Sequence, residues 1–167
     1  DYLSLYSNAY TNLGGINWNP SWGQSTVVSD VVIAGDTTRR YTNLNYQGVQ
    51  LASAINVSSM SKLHVDIWTP NCTTFDLYLI NTTPTTVEQK YTLTPTLNGW
   101  NSYDIPLTAY STVNLSNISQ FKFVGVPSGT VVVYMDNLYF WKASNAPTIT
   151  GFSVPAKVLG DAPFAIT

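Results

Sequence analysis

Residues 61–70 read SKLHVDIWTP and alternate in side-chain character with a period of two. Leu63, Val65 and Ile67 fall on one face of an extended chain and His64, Asp66 and Trp68 on the other, which predicts a β-strand with its aliphatic row against a core. The opposite row is unusual for a solvated face. Thr, Ser, Lys or Glu are the common occupants there, whereas an imidazole, a carboxylate and a flat ring in line suit contact with something polar that has an apolar face, such as a sugar. A plainer reading stays open at this point: His64 and Asp66 as a hydrogen-bonded pair under a loop, with Trp68 in the core.

The same alternation recurs on either side. Residues 3–10, 26–34, 37–43, 46–52, 75–80, 87–93, 100–107, 120–126 and 130–141 all read as strands, and Gly35-Asp36, Asn98-Gly99 and Pro127-Ser128-Gly129 supply turns between them. With the opening stretch this gives about ten strands and no convincing helix, hence an all-β, two-sheet antiparallel β-sandwich of jelly-roll type. Residues 130–141, TVVVYMDNLYFW, form the longest apolar strand and are expected at the centre of a sheet, while Pro106 marks 100–107 as a strand ending at an edge. Residues 75–80 follow the opening strand closely and are expected to pair with it. That pairing would bring Asp76 and Tyr78 onto the His64/Asp66/Trp68 face, with Asp66 opposite Asp76.

Composition supports this class. Charged residues make up 10% of the 167, and Glu88 is the single glutamate, so the usual material of helix surfaces is scarce. A net charge of −2 with seven Lys and Arg provides no clustered positive field, which argues against a nucleic-acid partner. No apolar run approaches the ~20 residues of a membrane helix. Cys72 stands alone, so neither an internal disulfide nor a cysteine metal site can form. Low charge, 13% aromatic residues and Asn/Thr/Ser-rich loops suit a monomeric extracellular protein, secreted or held at a cell surface. The stretch from Lys142 to Pro147 is linker-like. The expected division is a sandwich over 1–144 and, in 145–167, a linker with the first strand of a following domain.

Few residues could carry catalysis. A glycoside hydrolase generally needs two carboxylates ~5–10 Å apart, and the eight Asp and one Glu sit mostly in turns. Asp66 with His64 leaves a hydrolase or lyase as one alternative, and a structural or adhesive spacer is another. One His and one Cys are too few for a zinc centre, and no nucleophile elbow accompanies His64. The aromatic excess points to binding instead, since rings stack on the apolar faces of pyranoses while polar side chains bond the hydroxyls. The Gly/Asn/Pro-rich loop 11–24 supplies Trp18 and Trp22 close together, either for ligand stacking or with one of them plugging the end of the sandwich. The candidate ligand contacts are Trp68, His64 and Asp66, followed by Trp22, Trp18, Tyr46, Tyr78, Gln24 and Arg39. Trp100 and Trp141 read as core or edge packing.

The segments LYSNAY, NPSWGQ, YQGVQ, LHVDIWT, WNSYDIPL and VYMDNLYFW, in this order, resemble a family. They are similar to the jelly-roll, galactose-binding-like carbohydrate-binding modules attached to secreted bacterial, often marine, β-glucan-degrading enzymes and to surface glycan-binding proteins. The resemblance runs from about Leu3 to Lys142. It implies a non-catalytic module that holds a larger secreted protein on a polysaccharide, most readily a β-1,3-type glucan such as laminarin. The tail PTITGFSVPAKVLGDAPFAIT resembles the opening of an immunoglobulin-like repeat. The resemblance also implies a structural Ca²⁺ held by Asp136 of the Asp136-Asn137 motif, with Ser7, Asn8 and Asp36 as further oxygen donors; Asn8 stands where relatives often carry Asp. Calcium takes about 6–8 oxygens, some from the backbone, so the set is incomplete.

Overall fold

The period-two pattern becomes ten strands in the computed structural model, which describes residues 1–143. The expected linker and following strand in 145–167 lie outside the described residues. In chain order the strands are β1 (Tyr2–Tyr6), β2 (Val27–Ile33), β3 (Asp36–Leu44), β4 (Tyr46–Ile55), β5 (Lys62–Trp68), β6 (Thr74–Asn81), β7 (Val87–Leu93), β8 (Trp100–Pro106), β9 (Ile118–Val126) and β10 (Val131–Trp141). One short 3₁₀ turn, Leu107–Ala109, follows β8. The six-stranded sheet runs β2-β3-β10-β5-β8, with β1 also on β10, and the four-stranded sheet runs β4-β9-β6-β7. All named pairs are antiparallel.

The two sheets bury their aliphatic and Phe rows against each other. Leu63, Val65 and Ile67 from the opening stretch meet Val133, Met135, Leu138 and Phe140, all fully buried. Within the four-stranded sheet Phe123 stacks on Phe75 at 5.6 Å; across the sandwich Phe123 touches Tyr41 at 5.9 Å and Phe121 meets Phe140 at 6.0 Å. As expected, β10 is central: its first half pairs with β3, its second with β1, and β5 runs along its other side. Strand β8 is an edge, ended by Pro106.

Asn137 changes the phase of β10. The ladder to β5 slips between Asp136 and Tyr139, and Asn137 takes the left-handed conformation at φ 51°, which Asn tolerates better than most residues. Tyr134 and Asp136 face outward before the slip and Tyr139 and Trp141 after it, so Leu138 and Phe140 can stay in the core. The β2–β3 hairpin closes through Ala34 (φ 51°) and Gly35 (φ 88°), the two positive-φ positions that a two-residue hairpin loop requires.

One expected pairing is corrected. Strands β5 and β6 are not neighbours; residues 69–73 cross from one sheet to the other. Thr69 pins the crossing: its hydroxyl donates to the Val132 carbonyl at 2.6 Å and accepts from the Cys72 amide at 2.9 Å. Asp76 and Tyr78 therefore lie on the far outer face from Asp66, and Asp66 does not face Asp76. A connection this short serves a hairpin or a crossing equally well, and both leave the alternation intact.

Replacing Phe123 by Ala removes a fully buried ring that touches Phe75 and Tyr41, and should cost about 3–5 kcal/mol. Urea unfolding should register this as a lower midpoint with an unchanged slope.

Candidate functional site

The outward row of the opening strand is real, but two of its members are committed to each other. His64 sits with Nδ1 2.9 Å from Asp104 and Nε2 3.3 Å from Asp66, and its ring stacks on Tyr139 at 4.6 Å. Asp66 also accepts from the Asn137 amide at 2.8 Å, and Asp104 from the Trp141 indole at 2.8 Å. Burial pushes the His64 pKa down, but hydrogen bonds to Asp66 and Asp104 outweigh it and the net shift is upward. Burial likewise opposes ionisation of Asp66 and Asp104, and bonds from His64 and their other donors overcome it, leaving both carboxyls below the usual range. With a carboxylate at each nitrogen, the imidazolium satisfies both partners, whereas a neutral ring would set a lone pair against one of them. This is the plainer reading of the pair, and it leaves little of either group free.

Trp68 behaves differently. Its ring meets Tyr134 edge-on at 5.4 Å and 80°, and the two share a hollow of about 360 Å³ with Trp100, Val31 and Ile33. Val31 and Ile33 come from one edge strand and Trp100 from the other, so this face of the six-stranded sheet is concave. Trp100, expected in core or edge packing, is 49% exposed on the edge strand and walls this hollow. An adjoining space is lined by Asp36, Thr38, Asp66, Asp136 and Asn137.

That acidic end holds the residues that resemblance assigns to calcium. Asp136 is nearly buried, and burial, with the charges of Asp36 and Asp66, raises its carboxyl pKa. The Ser7 hydroxyl donates to Asn137 Oδ1 and the Asn8 amide to Asp36. Among the described residues no Lys or Arg pairs with Asp36, Asp66 or Asp136. An all-oxygen donor set short of positive charge fits a hard cation such as Ca²⁺, although no three acidic or imidazole side chains among the described residues converge on one point.

The outer face of the four-stranded sheet carries the other half of the candidates. Three rows cross its strands: Tyr46, Val124, Asp76, Thr92; Gly48, Lys122, Tyr78, Lys90; and Gln50, Gln120, Ile80, Glu88. The Trp22 indole lies on Gly48, where any Cβ would overlap the ring. Several groups hold its loop in place. Gln24 accepts from the Trp22 amide at 2.9 Å and donates to Asn19 and the Pro20 carbonyl. The Tyr46 hydroxyl donates to the Trp22 carbonyl at 2.5 Å, and buried Gln47 donates to the Trp18 carbonyl at 2.9 Å. Gln24 and Tyr46 thus position Trp22. Beside it, Lys122 reaches over the Tyr78 ring at 4.0 Å to pair with Glu88 at 2.7 Å, and Lys90 pairs with Asp76 at 2.7 Å.

Trp18 and Arg39 belong to neither face. The Arg39 guanidinium is held by Asp30 at 2.8 Å and lies against the rings of Tyr6 and Trp18, at 5.0 and 4.9 Å, closing the end of the sandwich. The candidates therefore split into two outer faces and one structural plug. Residues missed by sequence reasoning are Tyr134, Val31 and Ile33 in the hollow, Lys122, Glu88, Lys90 and Gly48 on the other face, and buried Gln47 beneath the loop. Gly48 carried a signal, since a glycine inside a strand marks a close approach. The rest depend on which strands pair.

No family model and no curated protein matches the sequence. In three dimensions the chain is similar to the family 11 carbohydrate-binding module of a cellulosomal cellulase of Clostridium thermocellum, at TM-score 0.63 and 17% identity, covering 86% of this chain and 95% of that one. The family 11 module from the same organism in complex with a β-1,3-1,4-mixed-linked tetrasaccharide gives TM-score 0.62 and 16% identity over 83% and 95%. A family 29 carbohydrate-binding module gives 0.59 and 14% over 84% and 87%. At these identities the likeness establishes a shared fold, the jelly-roll sandwich of carbohydrate-binding modules.

His64 binds its proton more tightly folded than unfolded, so its contribution to stability is complete below about pH 6.5 and is lost as the pH climbs through the raised value. Asp66 and Asp104 work in the opposite sense, complete above about pH 3.8 and lost as the pH falls through their lowered values. Melting temperature measured against pH should decline on the alkaline side in the wild type and decline less in His64→Asn. Parallel profiles for the two proteins would remove the imidazolium from this role.

Proposed function

We propose that this chain is a non-catalytic carbohydrate-binding module that holds a larger extracellular protein on a polysaccharide, with the outer face of the four-stranded sheet as its binding surface. The observation that carries this reading is the Trp22 ring laid on Gly48. Gln24, Tyr46 and Gln47 fix the loop that bears it, and the ring adds nothing to the core. Around it Lys122, Glu88, Lys90, Asp76, Gln50 and Gln120 offer donors and acceptors for sugar hydroxyls. Trp22 and Tyr78 are two strands apart, roughly 10 Å by strand spacing, about the length of a disaccharide.

A β-glucan is the ligand class that fits an extended, neutral chain lying across these rows. The solved family 11 complex with a mixed-linked tetrasaccharide supports that class, and the family resemblance favours a β-1,3-type glucan such as laminarin. A hydrolytic or lytic role is less well supported, because His64 is closed between Asp66 and Asp104 and because Asp66 and Asp76 occupy opposite faces. Stacking and water-exchanged hydrogen bonds at an open surface suit micromolar to millimolar affinity, roughly −4 to −8 kcal/mol. Calcium in this reading is structural, bound at the acidic end through Asp136 and Asp36, with Ser7 and Asn8 behind them.

Affinity electrophoresis in gels containing laminarin or mixed-linkage β-glucan should retard the wild type, and Trp22→Ala should weaken binding at least tenfold, about 1.4 kcal/mol. No reducing ends or unsaturated products should appear. Equal mobility of Trp22→Ala and wild type in every gel would refute the assigned face. Calcium at saturating concentration should raise the melting temperature, and EDTA should reverse it; Asp136→Asn should abolish the difference, and a melting point indifferent to calcium would dispose of the ion.

A further inference from the structure

We propose that the hollow on the six-stranded sheet is a second glycan site, taking one or two neutral hexopyranose rings, so that one module grips two polysaccharide strands. The ligand class rests on the reading above; the aromatic hollow shares no residue with the Trp22 face, and its acidic end is the calcium position of that reading.

The hollow has the two-sided chemistry that a pyranose presents. Trp68 and Tyr134 form a floor of rings set at 80° to each other, and Trp100 and Ile33 stand at its edges, 49% and 38% exposed. Fold stability does not account for this arrangement, since the core rows face the other way and are complete without it. At about 360 Å³ the space suits a sugar unit or two and not a flat protein surface. The polar groups lie at one end only, where Asp36, Asp66, Asp136 and Thr38 continue the same face.

Charge selects among occupants. Among the described residues no Lys or Arg lines the hollow to pair a uronate or sulfate: Arg40, beside Tyr134 in the same outward row, bonds Ser29 at 3.1 Å, Asp66 is already held by His64 and Asn137, and Asp36 and Asp136 continue the face with carboxylates. An apolar side chain from a protein partner would cover those carboxylates without bonding them, at a desolvation cost. A neutral hexose satisfies both ends.

The position of the site has a mechanical meaning. The two faces are the opposite outer surfaces of a single sandwich, so sheet packing of about 10 Å plus two layers of outward side chains separates the sites. A glucan strand lying on one face does not continue onto the other. Occupation of both would link separate strands, or two distant stretches of one long chain, and binding to an insoluble polysaccharide would gain from the second contact.

Titration calorimetry with laminarihexaose and with the mixed-linked tetrasaccharide, in calcium-containing buffer, separates the two faces. We expect two ligands per wild-type chain, one for Trp22→Ala, one for Trp68→Ala/Trp100→Ala, and none for the triple variant. Only the wild type should cloud a solution of long β-glucan by cross-linking it. All four proteins should give the same far-ultraviolet spectrum and a cooperative melt, since the substituted rings face outward; a variant that fails this is replaced by Trp100→Ala alone, which should still weaken the second site at least fivefold. Two ligands retained by Trp68→Ala/Trp100→Ala, or none bound by Trp22→Ala, would overturn the second site. Unchanged binding in Trp22→Ala with loss in Trp68→Ala/Trp100→Ala would instead overturn the first face and leave the hollow standing. Equal affinity for a sulfated hexasaccharide would overturn the selection for neutral sugars.

Discussion

Asn137 adds one residue to the longest strand of the sandwich, and that insertion sets which side chains meet water along a whole sheet. Without the slip, the alternation begun at Val131 would carry Leu138 and Phe140 outward and Tyr139 inward. With it, both aliphatic and aromatic core positions are kept, Tyr139 emerges to stack on His64, and the Asn137 side chain bonds Asp66 and accepts from Ser7. Strand β10 joins β1, β3 and β5, so the phase it adopts is imposed on three neighbours through their ladders. The His64–Tyr139 stack and the hydrogen bonds that tie Asp66 and Ser7 to this strand take their arrangement from that one left-handed residue.

Much of this was legible in the chain itself. Period-two alternation located the strands within a few residues, because burial on one face is a strong local constraint. The central place of 130–141 and the edge position of 100–107 followed from an apolar run and a proline. The crossing that parts β5 from β6 was not legible. Residues 69–73 are long enough for a turn or a crossing, and Thr69 decides the matter through bonds to Val132 and Cys72, which are distant or invisible as a sequence pattern. That single error merged two opposite faces into one.

The candidate residues divided along the same line. Trp68 kept an open ring, while His64 and Asp66 became a closed pair, since a strand's outward row shows which groups share a face but not what the neighbouring strand sets opposite them. Here β8 supplied Asp104. Trp18 and Trp22, alike in their loop, parted because Arg39 and Tyr6 draw one ring into the end of the sandwich and Gly48 gives the other a flat backbone to lie on. By residue type Gln24 and Tyr46 suit a ligand's hydroxyls, and the structure places their polar atoms on the loop that carries Trp22.

The seat of Trp22 has a consequence for how such a surface could change over time. Its ring rests on bare backbone and is tethered by a loop, so nothing in the hydrophobic interior is shaped to its outline. A different loop with another ring, or none, could be accommodated without repacking the Phe and Leu rows beneath, provided residue 48 stays a glycine wherever a ring remains. Recognition and folding therefore answer to nearly separate sets of residues, and one glycine is the hinge of inheritance between them.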